Sequence, residues 1–596
     1  MPRRSTLVDR RVLVISALAV LLGVAAALIA EILVALIALI TNLAFYGRLS
    51  TDYMAPAGNA LGAWVIVIPV IGGIIVGLMA RWGSKAIRGH GIPEAMEQVL
   101  LNESRIPPRM TFLKPLSSAV AIGTGGPFGA EGPIIATGGA LGSFLGQLMH
   151  ITSHERKVLL AAGAAAGMSA IFASPVAAVI LAVELLLFEL RPRSLIPVAL
   201  AAVTATAIHF AIAGEVHAVF AMPDIATPGG VALVCYVLLG ALIGLVSVGV
   251  TRAIYGIENA FEKLPIHWMW WPAIGGLAVG VIGFFAPQTL GVGYNNIQEI
   301  LNGELALGAL AFLCIMKFLS WSIALGSGTS GGTLAPLFTI GGALGAVAGV
   351  MLVMIAPELG VDPRIAGLVG MAAIFAGASR ALLTSVVFAF ETTRQFAGIL
   401  PLLGGCTAAY LVSALTMRNT IMTDKLTRRG TRVPGEYSAD YLEQVVVGTA
   451  CTRKVVALQA SDTLAKVRHW LQFGGEDAHH QGYPVIDASG RVRGMMTRRD
   501  LLATDANESV RIEELLVEPA PVVHEHHSLR EAADHMIDRQ VGLLIVVGEK
   551  APHPMIGILT RGDILAGHSK RLREARKAHR HFRLRRFRNV RNNPEQ

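Results

Sequence analysis

Long apolar runs, separated by short glycine- and proline-rich breaks, fill the chain from Val12 to about residue 428, where the texture turns polar. The first run, residues 12–45, exceeds the roughly 20 residues that cross a bilayer. It predicts a strongly tilted membrane helix and argues against a cleaved signal segment. Glu31 lies inside this run, as a buried paired carboxylate or as a functional group. Residues 429–442 read as a polar, basic linker. Beyond it, apolar residues alternate across turns. Tyr483-Pro484-Val485-Ile486-Asp487 precedes Ser489-Gly490 and Gly494-Met495-Met496-Thr497, and Leu543-Leu544-Ile545-Val546-Val547 precedes Gly557-Ile558-Leu559-Thr560. This predicts two hairpins, each followed by a helix opened by Thr497-x-x-Asp500 or Thr560-x-x-Asp563 in the manner of an N-cap. The predicted layout is a leading segment 1–11, an all-α polytopic membrane domain 12–428, the linker 429–442, an α/β pair 443–567 and a tail 568–596.

The membrane part repeats itself. At an offset of 203 residues, Lys114 falls on Lys317, Gly123 on Gly326 and Pro133 on Pro336, and both copies end in Gly-Gly-Ala-Leu-Gly at Gly142 and Gly345. The same offset aligns Ile71-Gly72-Gly73 with Ile274-Gly275-Gly276 and Ile171-Phe172-Ala173 with Ile374-Phe375-Ala376. Two related halves, about residues 12–215 and 229–420, are a transporter signature, with the site expected at mid-membrane where broken helices of both halves meet.

Composition agrees. The chain is 53% hydrophobic and 15% charged, whereas a soluble domain carries about a quarter charged residues. Its 64 glycines permit close helix packing in lipid. Cys235, Cys314, Cys406 and Cys451 are scattered and without a CxxC pair, which makes them packing residues and excludes a disulfide framework or thiolate metal site. Arg3, Arg4, Arg10 and Arg11 ahead of the first run place the N-terminus in the cytoplasm. The net charge of +9 is concentrated at residues 570–591, either a solvated tail or a surface for anionic lipid, with nucleic acid not expected as a partner.

Three glycine-rich turns precede apolar runs: Gly89-His90-Gly91-Ile92-Pro93-Glu94, Gly129-Ala130-Glu131-Gly132-Pro133 and Gly331-Gly332-Thr333-Leu334-Ala335-Pro336. Each places glycine at a tight turn and proline at a helix start, where its missing N–H costs nothing. A helix N-terminus within a membrane presents unpaired N–H groups and positive partial charge, which is an anion site. Helix dipoles also hold an anion less tightly than a full positive charge would, so release stays fast. Glu131, a carboxylate in an apolar stretch, is the sharpest functional candidate.

As a set and in order, these turns resemble the motifs of the CLC family of chloride channels and proton-coupled chloride exchangers, over about residues 12–430. The resemblance implies an inverted internal repeat with broken helices, a homodimer with one pore per subunit in the cell membrane, and both termini cytoplasmic. It implies chloride or another small monovalent anion as substrate, bound around His90, Gly91, Ile92, Gly132, Thr333, Leu334 and Met422, with protons as the coupled partner. Glu131 becomes the gate: ionised, it fills the anion site, and protonated, it swings out. Glu131 and Glu184 form the expected proton pathway.

The chain also departs from the family. His90 replaces a serine that contacts the anion, Met422 a tyrosine, Ala130 a basic residue and Leu334 a phenylalanine. His90 either donates an N–H to the anion or fills space as a neutral ring. Leu185 stands where exchangers carry the second glutamate, so proton-coupled exchange, placed first, is followed by a passive chloride channel. Residues 443–567 resemble a CBS domain pair, in which Thr497, Asp500, Thr560 and Asp563 either hold an adenine nucleotide or simply cap helices. No resident cofactor, metal or enzymatic activity is expected. Two remote rivals are a divalent-cation transporter with a CBS tail, which needs intramembrane carboxylate ligands, and an intramembrane protease using Ser330, which needs a histidine facing it.

Overall fold

The structure, a computed structural model, describes residues 10–214, 218–429, 433, 442, 445–503, 505–516, 520–548 and 554–566. Arg3, Arg4, most of the linker and the basic tail lie outside the described residues. Two compact units divide between Tyr437 and Ser438.

The first unit is all-helical. Its first half contains α1 (Arg10–Thr41), α2 (Val67–Leu78), α3 (Ile92–Leu101), α4 (Met110–Gly123), α5 (Glu131–Leu148), α6 (Ser153–Phe172), α7 (Pro175–Leu181) and α8 (Pro192–Ala213). Its second half answers helix for helix: α9 (Gly230–Glu262), α10 (Trp271–Phe285), α11 (Tyr294–Asn302), α12 (Leu307–Gly326), α13 (Leu334–Ile355), α14 (Pro363–Ser379), α15 (Leu382–Thr393) and α16 (Ile399–Thr416). A short α17 (Asp424–Arg428) follows. Among the described residues, eight helical stretches are long and apolar enough to cross a membrane. Helices α6 and α14 are buried almost throughout and form the centre against which the outer helices pack.

The repeat is a two-fold one. A methyl group at Gly73 on α2 would meet the Pro272 carbonyl on α10, and one at Gly276 on α10 would meet the Pro69 carbonyl on α2. One turn on, Gly77 faces Met269 and Gly280 faces Ile66. Each contact is therefore made twice with the halves exchanged, as at an isologous interface. Numbers rise along α2 while they fall along α10, so the two helices run antiparallel. The axis relating them is perpendicular to both, and for spanning helices it lies in the membrane plane. The repeat is inverted.

Two half-buried carboxylates join the halves by the same rule. Glu184, just beyond α7, accepts hydrogen bonds from the N–H groups of Leu383 and Thr384 (3.1 Å each) and from the Thr384 hydroxyl (2.7 Å), at the start of α15. Its mate Glu391 on α15 accepts from Val176 and Ala177 (3.1 and 2.8 Å), at the start of α7. A carboxylate at a helix N-terminus is favoured both by the orphan N–H groups and by the macrodipole.

The second unit holds two small sheets of matching topology. In the first, β1 (Leu458–Gln459) runs parallel to β2 (Gly482–Ile486), which pairs antiparallel with β3 (Val492–Thr497). In the second, β4 (Val522–His524), β5 (Leu543–Val547) and β6 (Met555–Thr560) repeat the order. The sequence predicted the two hairpins and their following helices. It missed β1 and β4, which are too short to show an alternating pattern.

Candidate functional site

The three glycine turns converge. Gly89 N–H donates to the Thr329 carbonyl (3.0 Å), and Gly332 N–H donates to the Gly129 carbonyl (3.0 Å). A methyl group at Gly91 would lie 2.3 Å from the Gly132 carbonyl oxygen, and one at Gly132 would lie 2.1 Å from that of His90. The N-terminal ends of α3, α5 and α13 thus meet in one buried knot. The first i→i−4 bonds of these helices are made by Ala95, Ile134 and Leu337, so the N–H groups ahead of them have no helical partner. Pro93, Pro133 and Pro336 remove one donor from each turn without loss.

Gly91 holds φ +97°, a conformation that suits glycine, and its N–H donates to Glu94 Oε2 at 2.6 Å. That bond occupies the Gly91 donor within the turn. Ile92 opens α3, Gly132 is the second residue of α5, Thr333 caps α13 and Leu334 opens it. His90 is buried and its Nδ1 has no hydrogen-bond partner among the described residues. Met422 is buried in the turn before α17, and its N–H donates to the Thr420 hydroxyl at 3.2 Å. That segment packs against α3.

Glu131 is fully buried at the first position of α5. Its carboxylate is wedged between the backbones of Gly129 and Gly332: a methyl group at either glycine would fall 1.7 or 2.8 Å from Oε2. Oε1 accepts a hydrogen bond from the Tyr294 hydroxyl at 3.2 Å, whereas Oε2 has no hydrogen-bond partner among the described residues. An unpaired buried oxygen of this kind costs about 1–3 kcal/mol, more if charged. The carboxylate lies where three helix dipoles point their positive ends, which favours negative charge there.

Two buried lysines hold the turns in place. Lys114 on α4 donates to the carbonyls of Ile87 and Gly89 (2.8 Å each). Its mate Lys317 on α12 donates to those of Thr289 and Gly291 (3.0 and 3.1 Å). The turn that Lys317 grips, Gly291-Val292-Gly293-Tyr294, is therefore the mate of Gly89-His90-Gly91-Ile92. The sequence reading counted three turns and missed this fourth one with Tyr294. The Gly-x-Gly spacing signals it, at an offset of 202 where the flanking alignment runs at 203.

Two vestibules approach these mated turns, and two-fold mates face opposite sides. A cavity of about 670 Å³ is lined by Lys85, Arg88, Lys425 and Arg428 together with Glu97 and Glu258. The Arg88 guanidinium donates to the Gly328 carbonyl (3.1 Å) and sits 5.2 and 5.4 Å from the ring centroids of Trp268 and Trp271. The other cavity, about 550 Å³, is lined by Tyr53, Gln288, Asn295, Asn296 and Glu299.

Glu184, expected on a proton pathway, has both oxygens engaged at the α15 N-terminus, as its mate Glu391 has at α7. Leu185 beside it is buried. Ser330 hydrogen-bonds to the hydroxyls of Ser117 and Ser118 (3.1 and 2.9 Å), an arrangement that serves packing rather than a histidine-activated nucleophile. In the second unit, Asp500 Oδ2 accepts from Thr497 N–H and hydroxyl (3.2 and 2.6 Å), and Asp563 Oδ2 accepts from Thr560 likewise (2.8 Å each). Both pairs are closed helix caps.

Residues 71–414 match the family described as voltage gated chloride channel, and residues 447–507 and 512–568 each match the CBS domain. The chain is 29% identical over 410 residues to the H(+)/Cl(-) exchange transporter ClcA of Vibrio campbellii, covering 64% of this chain and 86% of that protein. It is 32% identical over 378 residues to the chloride channel protein CLC-f of Arabidopsis thaliana, covering 59% of this chain and 47% of that protein. Among solved structures, a slow cyanobacterial Cl-/H+ antiporter superposes with a TM-score of 0.63 at 23% identity, over 71% of this chain and 98% of that one. A eukaryotic CLC transporter superposes with a TM-score of 0.56 at 20% identity, over 93% and 98%.

Proposed function

We propose, because this chain belongs to the voltage gated chloride channel family and carries a CBS pair behind its membrane part, that it exchanges chloride for protons across a membrane with Glu131 as the gate. The observation that carries this reading is the Glu131 carboxylate seated among three helix N-termini beside Gly129 and Gly332. While ionised, that carboxylate satisfies the dipoles and excludes an anion. Protonation removes the charge that held it, the side chain leaves, and chloride takes the vacated seat. One titratable group thereby couples proton uptake to anion passage. A relative named as an H(+)/Cl(-) exchange transporter supports exchange as the activity.

In the same reading, the N–H groups of Ile92, Gly132 and Leu334 contact the anion and the His90 ring borders it. The protein works as a homodimer in the cell membrane, with both termini cytoplasmic and an adenine nucleotide as the ligand of the CBS pair. Glu184 acts as an inter-repeat cap rather than a proton carrier. That last point, with Leu185, favours a second reading, a passive chloride channel.

Reconstituted vesicles with chloride and proton movement recorded together distinguish the two. Glu131→Gln is expected to abolish proton movement while chloride flux persists. Proton movement unchanged in that variant would sink the gate, and a wild-type protein that moves chloride with no protons at all would establish the channel.

A further inference from the structure

The fourth turn points to a residue that acts on the gate. We propose that Tyr294 is the latch of Glu131: its hydroxyl holds the ionised carboxylate in the closed seat and sets the pH at which the pathway opens. The inference rests on reading Glu131 as the gate and goes beyond it by naming what fixes its threshold.

Three observations carry it. The Tyr294 hydroxyl donates to Glu131 Oε1 at 3.2 Å, and among the described residues Oε2 has no hydrogen-bond partner, so this is the side-chain bond that holds the seated group; the charged side chain facing it is the buried Lys317, whose bonds go to carbonyls. The ring cannot follow the carboxylate if it moves. Phe172 and Phe220 pack edge-on against it with centroids 5.8 and 5.9 Å away, and Phe388 backs Phe172 at 4.8 Å. Finally, Tyr294 opens α11 directly after Gly293, whose carbonyl neighbour Gly291 is gripped by Lys317, so the backbone carrying the hydroxyl is itself fixed.

A hydrogen bond to an ionised acceptor is about twice as strong as one to a neutral acceptor. The latch therefore grips the charged carboxylate and loosens when it takes up a proton. Gly293 and Asn295, on either side of Tyr294, line the vestibule that also contains Tyr53 and Asn296. A released carboxyl next to the latch faces that vestibule, so the gate opens toward the side of Tyr53 and Asn296.

Tyr294→Phe removes the hydroxyl and keeps the ring packing. Chloride efflux from vesicles reconstituted with the full chain is measured across a pH series for wild type, Tyr294→Phe, Glu131→Gln and the double variant. With the latch gone, less acid is needed to open the gate. The half-activation pH is expected to rise by about one unit, tenfold in proton concentration, and flux at neutral pH to rise with it. In the Glu131→Gln background the same change is expected to do nothing, since no ionised carboxylate remains to be held. A merely structural tyrosine would act equally in both backgrounds, and that outcome overturns the latch. A Tyr294→Phe profile superimposed on wild type, with Glu131→Gln still losing its pH dependence, overturns the latch and spares the gate. Profiles unchanged in all variants overturn both.

Discussion

The two vestibules are the same place built twice, yet one is strongly charged and the other nearly neutral. Both lead to a Gly-x-Gly turn gripped by a buried lysine at the start of a short helix, α3 or α11. Around α3 the walls carry Lys85, Arg88, Lys425 and Arg428 with Glu97 and Glu258, whereas around α11 they carry Gln288, Asn295 and Asn296 with the single charged group Glu299. Arg88 itself corresponds to the buried Leu290. At the meeting point of the halves the contrast sharpens. Gly129 and Gly332 are mates and pair with each other, but the residue two places on is Glu131 in one half and Leu334 in the other. The scaffold is symmetric, and side chains break that symmetry: a single carboxylate lies between two equal helix ends, and one approach carries most of the charged groups.

The largest test of the shared scaffold is the lysine pair. Lys114→Met and Lys317→Met each strip two carbonyls of a charged donor inside the protein. A loss of roughly 3–5 kcal/mol is expected for each, read from unfolding of the detergent-solubilised protein. Equal losses sharpen the comparison. A large loss at one site with none at the other would break it.

A smaller effect is expected where the symmetry fails. Gly332→Ala puts a methyl group 2.8 Å from Glu131 Oε2 and 2.5 Å from the Gly129 carbonyl. The carboxylate should be expelled from its seat, and chloride leak at neutral pH should rise about tenfold, equivalent to about 1.4 kcal/mol. A variant that folds and closes at neutral pH as wild type does would show that the seat lies elsewhere.

The smallest effect concerns the approach. Arg88→Leu makes the charged vestibule resemble its mate at one position. Flux at low ionic strength should fall about two- to fivefold and recover at high salt, where steering is screened. Arg88→Lys, which keeps the charge but not the Nε–H bond to Gly328, should keep the salt dependence. A fall that ignores salt would assign Arg88 to structure alone.

Much of this was legible in the sequence because the repeat runs without a gap through Lys114/Lys317 and Pro133/Pro336, and because proline after glycine marks a helix start locally. The convergence of α3, α5 and α13 followed from those marks. The inversion did not, since it depends on the antiparallel crossing of α2 and α10 at Gly73 and Gly276. Tyr294 escaped because a one-residue shift hides Gly291-Val292-Gly293 under Gly89-His90-Gly91, and because a tyrosine in an apolar run signals packing until its hydroxyl is seen to meet a carboxylate. Glu184 shows the opposite limit. Position suggested proton transfer, while only the fold reveals that the start of α15 lies on its oxygens.

The crossed glutamates carry a consequence for origins. Glu184 of the leading half serves a helix of the trailing half, and Glu391 returns the service residue for residue. A gene encoding only one half would yield a chain whose carboxylate and exposed helix start could both be satisfied by a twin inserted upside down. The present protein has the bonding pattern of such a pair fused end to end, and separating the halves today should leave two fragments that recover their caps only by finding each other again.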